Sequence, residues 1–138
     1  MRIKVLFTAA FFLLAGGLAS AQQQMTPEQR EKQLYENIQK QVDSYASSLD
    51  LEDWQIFYAD SILTHNFGEM AKEFEELSNN RVGNTDLYAI IQDKWMEENY
   101  KAFEKILDKD QWAKYLKQGA SRDKKARDKR AQKREKQK

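Results

Sequence analysis

Cysteine is absent from this 138-residue chain, which excludes a disulfide framework, a thiol nucleophile and a thiolate-bound metal. Histidine is nearly absent too. With His65 alone, neither a di-iron bundle site nor a histidine-rich zinc site can be assembled. Asp60 and Ser61 precede His65 closely. Neighbours on one helix cannot, however, supply the strained nucleophile turn and oxyanion hole that acyl transfer needs. A single proline and five glycines argue against a loop-rich β fold. No phosphate-cradling glycine loop, zinc-protease motif or calcium loop occurs. The reading is therefore a non-enzyme, with no catalytic set, no metal or other cofactor and no evident small-molecule substrate.

Long apolar runs are limited to one, at the N-terminus. Arg2 and Lys4 precede the run Val5 to Ala15, and Ala19-Ser20-Ala21 follows with small residues at the positions a signal peptidase reads. As a helix, Val5 to Leu18 would span only about 21 Å, short of the roughly 30 Å hydrocarbon core of a bilayer. Residues 1–21 are thus expected to be a cleaved signal peptide, and the mature protein to be periplasmic or secreted. With no cysteine after the run, a lipid anchor is excluded.

Charge of one sign is missing only locally. From Gln22 to Ser121 the net charge is −8, whereas from Arg122 to Lys138 it is +7. The body should repel polyanions, and the tail should attract them or fold back on the body.

What is present reads as helix. Thr26-Pro27-Glu28-Gln29 opens the first segment, with a hydroxyl cap, proline at the first helical position and a glutamine to close a capping box. Leu34, Ile38, Val42, Tyr45 and Leu49 then recur by threes and fours, up to Ser47-Ser48. A second segment is expected to be capped by Asp50 and carries two stripes. One is Leu51, Trp54, Tyr58 and Ile62; the other is Leu63, Phe67, Met70, Phe74 and Leu77. Their combined width exceeds what one partner helix covers. Residues from Ser78 through Asn84 form a loop. Thr85 or Asn84 caps a third segment holding Leu87, Ile91, Trp95, Phe103 and Ile106, and Asp108 with Gln111 opens a fourth with Trp112, Tyr115 and Leu116. The expected fold is all-α, a small antiparallel four-helix bundle or long helical hairpin over residues 22–121. Residues 122–138 have no apolar face, so they are expected to be a basic tail, frayed or disordered in isolation.

A short pattern repeats: an apolar residue, a capping oxygen, two spacers, then a glutamine or acid. It stands as Met25-Thr26-Pro27-Glu28-Gln29, Leu49-Asp50-Leu51-Glu52-Asp53 and Leu107-Asp108-Lys109-Asp110-Gln111. The Met-Thr-x-x-Gln start and the late Leu-Asp-x-x-Gln-Trp-Ala-Lys-Tyr-Leu segment, behind a signal peptide and without cysteine, resemble the Spy/CpxP-like periplasmic proteins with their Leu-Thr-x-x-Gln motifs. Here Met replaces Leu in the first motif, Asp replaces Thr in the last, and Asp53 stands where the middle glutamine belongs. The resemblance implies a helical, often dimeric protein that serves as an envelope-stress chaperone or sensor.

The aromatics admit two readings: core filling, or a partly exposed face that binds other chains. On the second reading Trp54, Phe57, Tyr58, Phe67 and Phe74 are the candidate contacts for protein clients or for a second copy in a homodimer. The acids Glu69, Glu73, Glu75, Glu76, Glu97 and Glu98 read as solvated helix faces. The tail offers Arg122, Lys124, Lys125, Arg127, Lys129 and Arg130 as contacts for an anionic membrane or envelope surface. It has no aromatic residue to stack on bases, which argues against nucleic acid as the partner. Two functions follow: an exported protein-binding, chaperone-like helical protein, or an envelope-surface structural protein held on lipid or glycan phosphates by its tail.

Overall fold

The structure, a computed structural model, describes residues 25–138 and is all-α, with no strand among the described residues. The expected signal peptide lies outside the described residues. None of the described helices is long and apolar enough to cross a membrane. The described residues fall into two units, 25–33 and 34–138.

In the first unit the expected capping box is formed. The Thr26 amide donates to Gln29 Oε1 at 2.9 Å, and the Gln29 amide donates to Thr26 Oγ1 at 3.2 Å. This opens α1 (Pro27–Ser48), whose residues from Leu34 onward belong to the second unit.

The second unit continues with α2 (Asp53–Asn79), α3 (Thr85–Ile106) and α4 (Lys109–Tyr115). A π-type turn (Leu116–Ala120) then leads into α5 (Ser121–Glu135). Cross-links between helices give the directions. Asn66 meets Asn99 and Glu73 meets Lys94, so α2 and α3 run antiparallel; Gln39 meets Asp60 close to the α1–α2 connection.

The helix stops show why the connections are tight. α1 ends with the Leu51 amide donating back to the Ala46 carbonyl, which places Asp50 in the left-handed region at φ 51°. A residue in that conformation cannot be the extended N-cap of α2. The cap is instead Glu52, at φ −73° and ψ 159°, and the expectation for Asp50 is corrected accordingly. α2 stops in the same way at Arg81 (φ 54°), with Val82 donating to Leu77 and Arg81 to Ser78. The glycine in that loop, Gly83, does not take the positive φ. Asn84 caps α3 through the Asp86 amide at 2.9 Å. Gly119, at φ 127°, makes the kink between α4 and α5, a conformation that L side chains rarely adopt.

The core is small and aromatic at one end. The buried apolar residues are Ile38, Val42 and Leu49 of α1 and its end, Ala59, Leu63, Phe67 and Met70 of α2, and Phe103, Leu107 and Tyr115. Phe103 is fully buried, stacked on Tyr115 (centroids 5.4 Å apart, 9° between planes) and tilted against Tyr45 at 5.1 Å. Trp112 extends the stack from Tyr115, and Tyr100 meets Trp112 edge-on at 5.0 Å. Burial pushes the Tyr45 hydroxyl up to about 12, against the opposing hydrogen bond from Tyr115, and raises Tyr115 well above its ordinary value.

Residues 121–135, expected to be frayed or disordered in isolation or to fold back on the body, form α5 and fold back. The reason is non-local. The helix has no apolar face, but four of its long cations reach acids on α3 or within α5 itself.

Candidate functional site

Three sets of polar or exposed side chains stand apart from ordinary helix packing. The first joins two helix starts. Gln55 is the third residue of α2 and Gln111 the third of α4, and both are buried. Each side-chain oxygen accepts from its own cap residue's backbone: Glu52 N to Gln55 Oε1 at 2.9 Å, and Asp108 N to Gln111 Oε1 at 3.0 Å. The two amides also pair reciprocally, Gln55 Nε2 donating to Gln111 Oε1 at 2.6 Å and Gln111 Nε2 to Gln55 Oε1 at 2.9 Å. Their remaining protons go to Ile106 O (2.9 Å) and Asp50 O (3.3 Å), each two residues ahead of the partner's cap. The result is a clasp with local two-fold character in which every amide donor and acceptor site is used. Leu51-Glu52-Asp53-Trp54-Gln55 is therefore the middle copy of the repeated motif, two residues later than the sequence pattern suggested.

The second set is an aromatic face on α2. Because Gln55, Ala59, Leu63, Asn66 and Phe67 point into the core, residues 54, 57 and 58 fall on the opposite side of the helix. Trp54 and Tyr58 are 50 % exposed and Phe57 is 67 % exposed. They touch one another, Trp54 against Tyr58 at 6.2 Å and Phe57 against Tyr58 at 5.7 Å, both edge-on. Trp54 Nε1 donates to Glu52 Oε2 at 2.6 Å, which fixes the indole at the start of the helix. Two of the expected contacts do not belong to this face. Phe67 is 4 % exposed and part of the core, and Phe74 is half-buried with its ring on Tyr88 at 5.5 Å. The pattern of threes and fours had grouped both with a second stripe; that stripe is the one the bundle covers.

The third set is the ion-pair seam between α3 and α5. Asp93, deep in the seam, accepts from Arg130 Nε (2.9 Å) and Nη2 (2.7 Å) and from Arg134 Nη2 (2.9 Å). Glu97 holds Lys124 at 3.0 Å and accepts from Arg127 Nε at 3.2 Å. Arg127 is buried, and its Nη2 lies 3.2 Å from Glu97 Oε2 without alignment to donate. Its guanidinium sits 5.6 Å from the Tyr100 ring, which supplies cation–π attraction there. Lys124 also pairs with Asp128 at 2.7 Å. Three of the six cations expected on an anionic surface, Lys124, Arg127 and Arg130, are thus turned to the seam. Arg122, Lys125 and Lys129 remain exposed.

The seam has a pH signature. Burial pushes the Asp93 carboxyl up, but the hydrogen bonds and charges of Arg130 and Arg134 outweigh it, and the group sits below its ordinary value. A carboxylate lowered in the folded state contributes stability that is present above the unfolded-chain value of about 3.9 and lost as pH falls through the lower folded one. α5 is expected to stay docked from neutral pH down into the ordinary carboxylate range and to detach below it. Hydrogen exchange of the α5 amides across that range is the measurement. Asp93→Asn should show the exchange of the acid form already at neutral pH.

His65, the only histidine, is exposed, with Nδ1 at 3.0 Å from Asn66 Oδ1 and its ring edge-on to Trp95 at 6.1 Å. Asn66 in turn donates to the buried Asn99 at 2.7 Å. The acids read as solvated faces are mostly paired: Glu69 with Lys72, Glu73 with Lys94 and with Trp95 Nε1, Glu98 with Lys101. Among the described residues no three His, Cys, Asp or Glu side chains converge to hold a metal ion. No protein-family model, no curated protein and no solved structure matches the chain.

Proposed function

We propose that this protein works by binding rather than by chemistry, capturing apolar stretches of other polypeptide chains on the aromatic face of α2. The observation that carries the reading is the mutual contact of three rings, each half exposed or more, on the side of α2 away from the core. Single exposed apolar residues are common, but contiguous aromatic patches mark interaction sites. Trp and Tyr are also the residue types that most often dominate binding energy. The flanking acids Glu52 and Asp53 favour a partner segment in which apolar residues stand beside basic ones.

Two features of the sequence support a place for this activity. The N-terminal export pattern points to the periplasm, and the repeated capping motif resembles that of Spy/CpxP-like envelope-stress chaperones. The middle motif supports that resemblance further, since its glutamine is Gln55. The role proposed is that of an exported, chaperone-like protein whose clients are unfolded or exposed segments; a second copy of the chain can occupy the same face.

Aggregation of a chemically denatured client protein, followed by light scattering at several-fold molar excess of this protein, tests the reading. Protection is expected from the unaltered chain. It is expected to disappear in the triple variant Trp54→Ser, Phe57→Ser, Tyr58→Ser, whose own stability should change by no more than roughly 0.5 kcal/mol per site because the rings are exposed. No protection by the unaltered chain, or equal protection by the variant, would sink the proposal.

A further inference from the structure

The cations of α5 divide into two faces, and only one is used within the fold. Lys124, Arg127, Arg130 and Arg134 turn to Glu97, Asp93 and Asp128. On the opposite side Arg122, Lys125, Lys129, Lys133 and Lys136 follow at intervals of three and four, all exposed. Helical spacing gathers them into one arc about 80° wide and roughly 21 Å long. The three acids of this segment, Asp123, Asp128 and Glu135, fall outside that arc. Lys125, Lys129, Lys133 and Lys136 have no ion pair among the described residues, and Arg122 has only a loose exposed one with Asp123 at 3.4 Å. At the N-terminal end of this row Lys117 and Ser121 line an open surface depression at the Gly119 kink together with Leu116, Arg122 and Lys125.

We propose that this outward face of α5 is a membrane-contact surface that rests on anionic phospholipid headgroups. The proposal stands on residues separate from the aromatic face and does not depend on it. Charge complementarity selects the occupant. Four of the five cations are lysines, point charges on flexible stems without the fork that fits one phosphate in one orientation. A row of such charges suits a plane of laterally mobile phosphates better than a ligand of fixed geometry. No aromatic or large apolar residue stands in the row, so neither base stacking nor insertion into the acyl region is available. The body beyond the row carries a net −8 from Gln22 to Ser121, so the same surface that attracts α5 repels the rest and orients the molecule with α5 against the bilayer. The seam to α3 holds α5 as a preformed helix, which removes the ordering cost a free basic tail would meet on binding.

Co-sedimentation of the full chain with vesicles of phosphatidylglycerol and phosphatidylcholine, against phosphatidylcholine alone, tests the proposal. Binding is expected only to the anionic vesicles and should vanish in high salt. Each cation near such a surface is worth roughly a fivefold change in partitioning. The variant Lys125→Gln, Lys129→Gln, Lys133→Gln, Lys136→Gln is therefore expected to lose two to three orders of magnitude. Replacing the same four with arginine should preserve binding, and Lys40→Gln, Lys101→Gln, Lys105→Gln, Lys109→Gln should leave it nearly intact. The aromatic triple variant should bind vesicles as the unaltered chain does. Retained binding in the four-glutamine stripe variant, equal loss in the control variant, or tighter binding to duplex DNA than to anionic vesicles at equal phosphate concentration would each overturn it.

Discussion

Phe103→Ala is expected to cost about 3–5 kcal/mol of folding stability, the usual range for deleting a fully enclosed phenylalanine. Phe103 has no exposed surface, and its ring lies between Tyr45 of α1 and Tyr115 of α4, so the cavity opens where three helices meet. The surrounding rings are themselves tied to Trp112 and Tyr100 and cannot readily collapse into the space. Chemical denaturation gives the magnitude, and the denaturation midpoint should fall at nearly constant slope. A second readout is independent of stability. The Tyr45 hydroxyl stands near 12 because it is buried, and the opposing hydrogen bond from Tyr115 does not cancel that burial. Opening the core beside it should bring its ionisation back towards 10, visible as phenolate absorbance at lower pH. The same raised value means that Tyr45 supports the fold below about pH 10 and that this support fades as pH approaches the folded value. A loss under roughly 1 kcal/mol with unchanged tyrosine ionisation would show that the stack is not the centre of the core. Tyr35→Ala, on an exposed ring of α1, serves as the comparison and should change stability by no more than roughly 0.5 kcal/mol.

The all-α class was legible because the local signals agreed with the global fold. Thr26 with Gln29 and Asp108 with Gln111 cap the helices they were expected to cap, and of the two residues expected for α3, Asn84 rather than Thr85 is the cap. The second helix start was misplaced for an identifiable reason: Asp50 and Glu52 are both acids preceded by leucine, and both have a plausible third-position partner. Only the return of the Leu51 amide to Ala46 decides between them, since it forces Asp50 into the left-handed region. In the loop expected from Ser78 through Asn84, the bonds closing α2 put the positive φ at Arg81 and not at the glycine.

The candidate site was legible in part, and its errors share one cause. Apolar spacing on α2 describes two stripes equally well and does not say which one the bundle covers. Hydrophobicity then misleads, because α2 buries Gln55 and Asn66 while exposing Trp54 and Phe57. Those buried amides are the missing clue: a polar residue belongs in the core only where another satisfies it, and the partners, Gln111 and Asn99, lie 56 and 33 residues away. The same non-locality hides α5. The split charge allowed the tail to fold back on the body, but nothing between Arg122 and Lys138 says where it docks; Asp93 and Glu97 supply that from another element.

Gln111→Ala is expected to cost about 2–4 kcal/mol, more than the roughly 1 kcal/mol typical of a lost helix cap. The excess comes from the partner. With Gln111 gone, Gln55 keeps its bonds to Glu52 N and Ile106 O but holds one amide proton and one acceptor site unpaired in a buried place. Gln55→Ala should cost a similar amount by the mirrored argument, leaving Gln111 with Asp108 N and Asp50 O. The double variant decides what the pair is. If each glutamine were only a cap for its own helix, the two losses would add within roughly 0.5 kcal/mol. A clasp behaves differently, because the second substitution removes the group that the first left unpaired. The double variant is expected to be only slightly less stable than either single one, a coupling of about 1–3 kcal/mol from chemical denaturation of the four proteins. Additivity would reduce the clasp to two ordinary caps. Coupling of the expected size would mean that the repeated motif fastens the start of α2 to the start of α4, and so holds the base of the helix on which the exposed aromatic face is built.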